Sequence, residues 1–433
     1  MKVENSDRMK VLVITYDYYP DQSPNTYRWK NVLEKWAERG VEIFVIAAQK
    51  DDLKELEKVN GINIYRTGKT WIENAKAKIL KKNTAKNTIT HENNSTIAKE
   101  GWVRKIYNLT WKKLYFPDFA FLWRTPSQKL AQKLIESENI YNVITVSWPF
   151  TDHVVGYNLK KKYKINWIAD TIDPFYLSKA VNNQFLYSKL NRSYEHRILK
   201  RADSLTVLTE KLKEQYSFFY PLDINKIIVN HNIFIPYPAI ASKKSESDKI
   251  KIVYVGTLAP VTRSPEVALS LFKNILKCSP NVNIELHFYG DASQCLTIFN
   301  PYGHLINSKI FINGLVPRDA IPEILSQADV LLNIGNTNEF QEPSKLIEYI
   351  YIGKPVLNIC SIENDSSKEL LKNYPSTFNI HKNEIDDQEI LKKCIEFIMK
   401  KETVGKNLVS EIIKEYLLDE VEKKYLNLLQ KGE

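Results

Sequence analysis

ADVLLNIGNTNEFQEPSKLIEYIYIGKPVL, residues Ala328 to Leu357, is the stretch whose reading decides the fold. It predicts a buried strand Val330-Leu331-Leu332-Asn333-Ile334, a polar loop ending in Gln341-Glu342-Pro343, a helix from about Ser344 to Tyr351, a stop at Gly353, and a second apolar strand from Pro355 to Ile359. Such a loop follows the carboxyl end of a parallel strand and opens a helix. Open α/β sheets bind ligands there, because free N–H groups and the helix dipole favour an anion. Pro343 suits a first helical turn, having no N–H to leave unpaired.

Working outward, a chain of 433 residues is too long for one ordinary core and suits two α/β domains of about 200 residues each. An apolar content of 43% and a charged content of 26% are those of a folding chain and exclude wholesale disorder. The N-terminal residues carry charges on both sides of one short apolar run, unlike a signal peptide, and no stretch reaches the ~18 apolar residues of a membrane span. A cytoplasmic location is therefore expected. The four cysteines, Cys278, Cys295, Cys360 and Cys394, lack C-x2-C spacing and read as buried thiols of a reducing compartment. The formal charge of +10 points to an anionic partner without naming it.

The alternation of elements supports the two-domain reading. Lys10 to Thr15 is an apolar β-branched run, Asp17 to Tyr27 a polar loop, Trp29 to Arg39 an amphipathic helix stopped by Gly40, and Val41 to Ile46 the next strand. No G-x-G-x-x-G follows the first strand, which argues against a dinucleotide cofactor of the NAD type. Further strands are predicted at Val143 to Val146, Asn166 to Ala169, Ser204 to Leu208 and Lys226 to Val229. A polar, Pro-containing segment from Ile235 to Asp248 reads as a linker, with the boundary near 240. The second domain restarts at Ile250 to Val255, continues with Asn283 to Phe288 and Ile310 to Ile312, and ends in a helix from Asn407 to Leu429.

Residues 69 to 113 differ in composition, with eleven basic residues against three acidic ones. Downstream, Trp102, Tyr107, Trp111, Tyr115, Phe116, Phe119, Phe121 and Trp123 interleave with Arg104, Lys105, Lys112, Lys113 and Arg124. Rings beside cations suit the boundary between water and anionic headgroups, so residues 99–124 are expected to meet an anionic membrane surface. The competing reading is that the rings pack on the first domain and the lysines are solvated.

Pro343-Ser344-Lys345, Glu348-Tyr349 and Gly353-Lys354-Pro355-Val356 together resemble the donor-site segment of family 4 of the retaining, nucleotide-sugar-dependent glycosyltransferases. That family has the GT-B fold, two Rossmann-like parallel-sheet domains facing a cleft, with a C-terminal helix crossing back to the first. The resemblance implies an N-terminal acceptor-binding domain over 1–240 with an insertion at about 69–125, a nucleotide-sugar-binding domain over 241–410, and a crossing helix over 411–433. The segments Trp167-Ile168-Ala169-Asp170 and Asp173-Pro174, and the loop Ser23-Pro24-Asn25 before Arg28-Trp29, resemble a subgroup of bacterial capsule and O-antigen pathways. The implied activity is transfer of a sugar from a nucleotide sugar to a lipid-linked saccharide, at the inner face of the cytoplasmic membrane.

By the same resemblance Glu348 binds the ribose hydroxyls, Gly256, Thr257 and Arg263 lie along the diphosphate with Pro343, Ser344 and Lys345, and the loop holding Leu315 and Val316 touches the base. The glutamate that normally contacts the transferred sugar falls at Phe340, which leaves Glu339, Glu342, the loop backbone or the opposite domain for that task. Arg263 and Lys345 serve catalysis by binding a diphosphate whose negative charge grows as it leaves. Without the resemblance, Lys345 and Glu348 read as a solvated helix pair at i, i+3. Asp170 and Asp173, clustered after a strand end, are candidates for orienting the acceptor hydroxyl, although Asp170 reads equally well as a helix cap or a partner of a neighbouring lysine. His153 reads as a site residue or a satisfied structural histidine. With no D-x-D motif and no His/Cys cluster, neither a metal nor a cofactor is expected. A GT-B sugar-nucleotide epimerase and a nucleic-acid-binding protein are the alternatives, the second disfavoured as a partner class.

Overall fold

The structure, a computed structural model, describes residues 8–21, 23–50, 53–68, 115–178, 184–238, 249–337, 339–340 and 343–431. The chain divides into two compact units: Met1–Asn230 with Glu422–Glu433, and His231–Val421. The basic part of the expected membrane-facing segment, 99–114, lies outside the described residues, as does Glu342.

Unit 1 is built on β1 (Lys10–Ile14), β2 (Glu42–Ala48), β3 (Leu56–Val59), β4 (Ile62–Thr67), β5 (Asn142–Ser147), β6 (Asn166–Thr171), β7 (Ser204–Val207) and β8 (Ile227–Val229). Their order is β3-β4-β2-β1-β5-β6-β7-β8, parallel throughout except that β3 runs antiparallel to β4. Unit 2 holds β9 (Ile250–Val255), β10 (Ile284–Tyr289), β11 (Ile310–Gly314), β12 (Val330–Ile334), β13 (Val356–Cys360) and β14 (Thr377–His381). All are parallel, in the order β11-β10-β9-β12-β13-β14. Central strands such as Val11–Ile14 and Val330–Ile334 are buried along their whole length, which is why they read as unbroken apolar runs rather than alternating ones. Each sheet reverses its winding beside its first strand, between β1 and β5 in unit 1 and between β9 and β12 in unit 2. Those reversals are where an open α/β sheet leaves a crevice at its carboxyl edge.

Several element bounds differ from expectation for local reasons. The first helix is Pro24–Glu38, five residues longer at its start than predicted. Ser23 caps it by accepting from the Thr26 N–H at 3.1 Å, and Pro24 takes the first position, where its missing N–H costs nothing. The hairpin β3–β4 was not predicted; Asn60 and Gly61 turn it, both at positive φ (49° and 85°). The expected last helix is two, Lys406–Ile413 and Leu418–Gln430, broken at Lys414–Tyr416. The division between units falls after Asn230 rather than near 240 because Phe234 already belongs to unit 2: its N–H donates to Tyr416 O at 2.6 Å, and its ring meets Tyr351 at 4.9 Å. Cys278 is exposed, contrary to the buried reading of all four thiols, because it ends the solvent side of helix Glu266–Cys278.

Of the aromatic run, the described part packs inward in good measure. Trp123 is 0% exposed, its Nε1–H donating to Thr67 O at 3.0 Å and its ring edge-on to Tyr16 at 5.4 Å. Phe116 lies against Tyr194 and Tyr187, while Phe119 stays 47% exposed. For these rings the packing reading holds better than the headgroup reading.

One buried charge ties unit 1 together. The Asp170 side chain, 1% exposed, takes Arg28 Nη1 and Trp29 Nε1 on Oδ2, each at 2.9 Å. Its Oδ1 takes Thr206 Oγ1 and Tyr425 OH, each at 2.6 Å. Removing one member of such a pair strands the other charge in the core. Asp170→Ala should therefore lower the stability of the folded chain by about 3–5 kcal/mol, read as a loss of urea midpoint in tryptophan fluorescence. A variant that unfolds like the parent and fails only in turnover would contradict this role.

Candidate functional site

At the switch point of unit 2 the sequence-predicted residues converge. β9 ends in Val255 and the chain turns at Gly256 with φ of 147°, a conformation that L side chains rarely adopt. A side chain there would also push the ammonium group aside, since a Cβ placed on Gly256 would fall 1.4 Å from Lys345 Nζ. Gly290, at the end of β10, is constrained likewise: a Cβ on it would fall 2.3 Å from Gly256 O. Two glycines thus let two loops and one ammonium group crowd the same carboxyl edge. The helix that supplies Lys345 spans Lys345–Ile352, with Ser344 as its N-cap residue and Pro343 just ahead rather than in the first turn. Ser344 makes no side-chain cap bond, and Gly353 ends the helix at φ of 75°.

The electrostatics of this edge are unusual. Lys345 Nζ lies 5.0 Å from the centre of the Tyr254 ring, and burial, then the Arg263 charge, brings its pKa down to about 7 against the pull of Glu348. Arg263 is held by a tight turn in which Ala259 and Arg263 exchange backbone hydrogen bonds at 3.1 and 3.0 Å, and its Nε is buried without a partner among the described residues. Neither cation makes an ion pair among the described residues. Glu348, one turn along the helix from Lys345, has its pKa raised by burial, with Arg318 and Lys345 pulling it back. Two cations free of ion pairs and one carboxylate a turn away are the chemical groups that a dianion carrying a diol would require.

The remaining predicted donor-side residues are placed less tightly. Thr257 is exposed beside Gly256, and Leu315 (78% exposed) and Val316 follow β11, whose end is fixed by the Gly290 N–H to Gly314 O bond at 2.7 Å. Phe340 is 6% exposed, so the position of the expected sugar-binding glutamate is an apolar core position. Tyr254, Gly290 and Arg318 were missed by the sequence reading. Gly290 carried a signal, a glycine directly after a strand; Arg318 carried none.

Unit 1 requires a correction. Asp170 cannot orient an acceptor, because all its hydrogen bonds are internal and it is closed to solvent. His153 is also structural: Thr145 Oγ1 and Thr171 Oγ1 flank its ring nitrogens at 2.8 and 3.1 Å, and burial lowers its pKa to about 3. Asp173 remains partly accessible, its carboxyl pKa raised by burial. The loop around it is clamped by Glu195, which accepts from Phe175 N, Tyr176 N, Tyr216 OH and Tyr220 OH at 2.7–2.9 Å. At the β1/β5 switch point the open carboxylate is Asp17, bonded to Lys50 Nζ at 2.7 Å, with Asp21 on the same ammonium group. Burial raises the Asp17 pKa despite that lysine. Asp152 lies beneath, fully buried, accepting from the Tyr16 N–H at 2.9 Å. Among the described residues no group of three or more His, Cys, Asp or Glu is arranged to hold a metal ion.

No protein-family model matches the sequence, and comparison with curated proteins gives no match. Solved structures match over the whole chain. A glycosyltransferase from Rickettsia africae has 15% identity and a TM-score of 0.63, covering 99% of each chain. Anabaena HepE in complex with UDP has 14% identity and a TM-score of 0.63, covering 98% of this chain and 100% of that one. WaaG, a glycosyltransferase involved in lipopolysaccharide biosynthesis, has 13% identity and a TM-score of 0.56, covering 97% and 99%. At these identities the likeness establishes the fold: two Rossmann-like parallel-sheet domains of the GT-B type.

The lowered Lys345 pKa has a measurable sign. Below pH of about 7 the free protein already holds the Lys345 proton, whereas above it an arriving dianion must restore it. Affinity for a nucleoside diphosphate should fall as pH rises above about 7, with net uptake of up to one proton, visible by calorimetry in buffers of different ionisation enthalpy. Lys345→Arg, charged at every accessible pH, should flatten that slope.

Proposed function

We propose that the chain is a retaining, family 4 type glycosyltransferase that moves a sugar from a nucleotide-sugar donor to a lipid-linked saccharide in bacterial surface polysaccharide assembly. The observation that carries this reading is Lys345 Nζ packed against Gly256, within the electrostatic reach of Arg263 and without an ion-pair partner among the described residues, with Glu348 one turn away. In this reading Glu348 accepts from the ribose hydroxyls, and the two cations and the N-terminus of helix Lys345–Ile352 hold the diphosphate. Leu315 and Val316 flank the base. The bond from the anomeric carbon to the diphosphate breaks, a bond to the acceptor oxygen forms, and the acceptor proton passes to the departing phosphate oxygen. The cations gain most from the charge that develops on that group, so they stabilise the transition state more than the ground state. On the acceptor side, Asp173 and Asp17 replace Asp170 as the carboxylates that orient the attacking hydroxyl.

UDP is the first donor base to test, since HepE, similar in fold, was solved with UDP and with UDP-glucose. A membrane-bound acceptor would be met at an anionic surface through residues 99–124, with the basic part leading, because Trp123 and Phe116 are committed to packing. No helix of the described residues is long and apolar enough to cross a membrane.

A thermal-shift panel of UDP-, GDP- and dTDP-sugars should reveal one stabilising base, worth about 2.7 kcal/mol at a hundred times its dissociation constant. Glu348→Ala should weaken that nucleotide at least about tenfold. A chain stabilised by none of these compounds, or a Glu348→Ala variant with unchanged affinity, defeats the transferase reading. For the membrane surface, salt-sensitive flotation with anionic liposomes should disappear when residues 99–114 are deleted; flotation that survives the deletion refutes that part.

A further inference from the structure

In unit 2 a buried carboxylate oxygen, Asp365 Oδ2, lacks a hydrogen-bond partner among the described residues. Parallel pairing sets Ile334 of β12 beside Ile359 of β13, and the Gly335 N–H donates to Ile359 O at 2.8 Å. The segment leaving β13 is thereby brought against the start of the loop that runs from Gly335 to Pro343. Ser361 fastens the two, its Oγ donating to Gly335 O at 3.1 Å. Asp365 closes that segment and is 4% exposed. Its Oδ1 accepts from the Ser367 N–H at 3.0 Å and lies 2.7 Å from Ser367 Oγ. Ser367 is in turn anchored 3.0 Å from Asn358 Oδ1, at the middle of an asparagine ladder in which Asn333 donates to Asn358 and Asn358 to Asn379, each at 2.7 Å. The Asp365 carboxyl group is thus fixed in one orientation.

Its second oxygen, Oδ2, is buried and has no hydrogen-bond partner among the described residues. It fills the volume a side chain at 335 would need, since a Cβ on Gly335 would fall 1.9 Å from it. Only a glycine at 335 leaves room for that oxygen. Buried polar atoms in native proteins are normally paired, and an orphan at the end of a strand that opens a ligand loop marks a place kept for a donor. A carboxylate oxygen accepts only, so the missing partner is an O–H or N–H group. The same loop carries buried Phe340 where the sequence resemblance places a sugar-binding glutamate.

We infer that Asp365 Oδ2 accepts a hydrogen bond from a hydroxyl of the transferred sugar and so selects the donor. The inference rests on the nucleotide-sugar reading above and assigns to the β13 end the contact that Phe340 cannot make. It does not involve the nucleotide itself, which separates its test from that of Glu348.

The experiment compares full-length parent and Asp365→Asn for the nucleoside diphosphate and for its sugar conjugates, glucose, galactose and N-acetylglucosamine, by calorimetry. Asparagine keeps the Oδ1 acceptor for Ser367 and is itself a good helix cap, so folding is preserved. The expected result is unchanged affinity for the bare nucleotide and loss of about tenfold or more for the preferred sugar nucleotide. Gly335→Ala, which drives a methyl group into Oδ2, should produce the same split; should it fail to fold, Asp365→Asn alone decides. Equal effects on nucleotide and sugar nucleotide, or no effect on either, overturn the inference while leaving the nucleotide site standing. A parent chain that binds no nucleotide overturns the donor reading and this inference with it.

Discussion

A carboxylate that cannot reach water must be neutralised by the chain around it, and Asp170 in unit 1 imposes that demand on four donors from three separate elements. The first helix answers with Arg28 and Trp29, β7 with Thr206 and the last helix with Tyr425. Arg28 continues outward to Asn230 O at 2.8 Å, where unit 1 meets its first boundary. Buried pairs of this kind are weak sources of net stability but severe arbiters of register, since any element that slips leaves a charge unpaired. The aromatic cluster of Trp29, Trp36 and Tyr425 then packs around a point already fixed in position.

Unit 2 follows the opposite electrostatic policy. Arg263 and Lys345 make no ion pair among the described residues, and the Lys345 pKa is lowered first by burial and then by the Arg263 charge. A fold tolerates such a conflict where a ligand relieves it. Charge is compensated within unit 1, whereas in unit 2 these two cations make no ion pair among the described residues.

How much of this was legible depended on whether the signal was local. Buried parallel strands announce themselves as apolar runs, and Gly256, Arg263, Lys345 and Glu348 stand beside strand and helix ends that periodicity locates well. The β3–β4 hairpin was also written locally, in Val59-Asn60-Gly61-Ile62, and was overlooked because its strands are short and half exposed. Asp170 was misjudged for a different reason. An acid after a strand looks the same whether it faces a crevice or a core, and its partners lie 36 to 255 residues away. Asp365 was invisible on the same grounds: only the register of β12 on β13 brings it to Gly335. Phe340, by contrast, declared a gap in the sequence and only its burial was new.

Unit 1 contains the last residues of the chain. Glu422 takes Trp36 Nε1 at 3.0 Å, and Asn166 donates to Leu428 O at 3.1 Å, so the final helix is a wall of a domain whose other walls are made first. A ribosome that has finished Asn230 has not finished unit 1, and the whole of unit 2 must be synthesised before the missing wall emerges. At ~5–20 residues per second that interval lasts roughly ten to forty seconds. Throughout it Asp170 lacks one of its donors and the Trp29–Trp36 face stands uncovered. Completion of the first unit therefore waits on synthesis of the second.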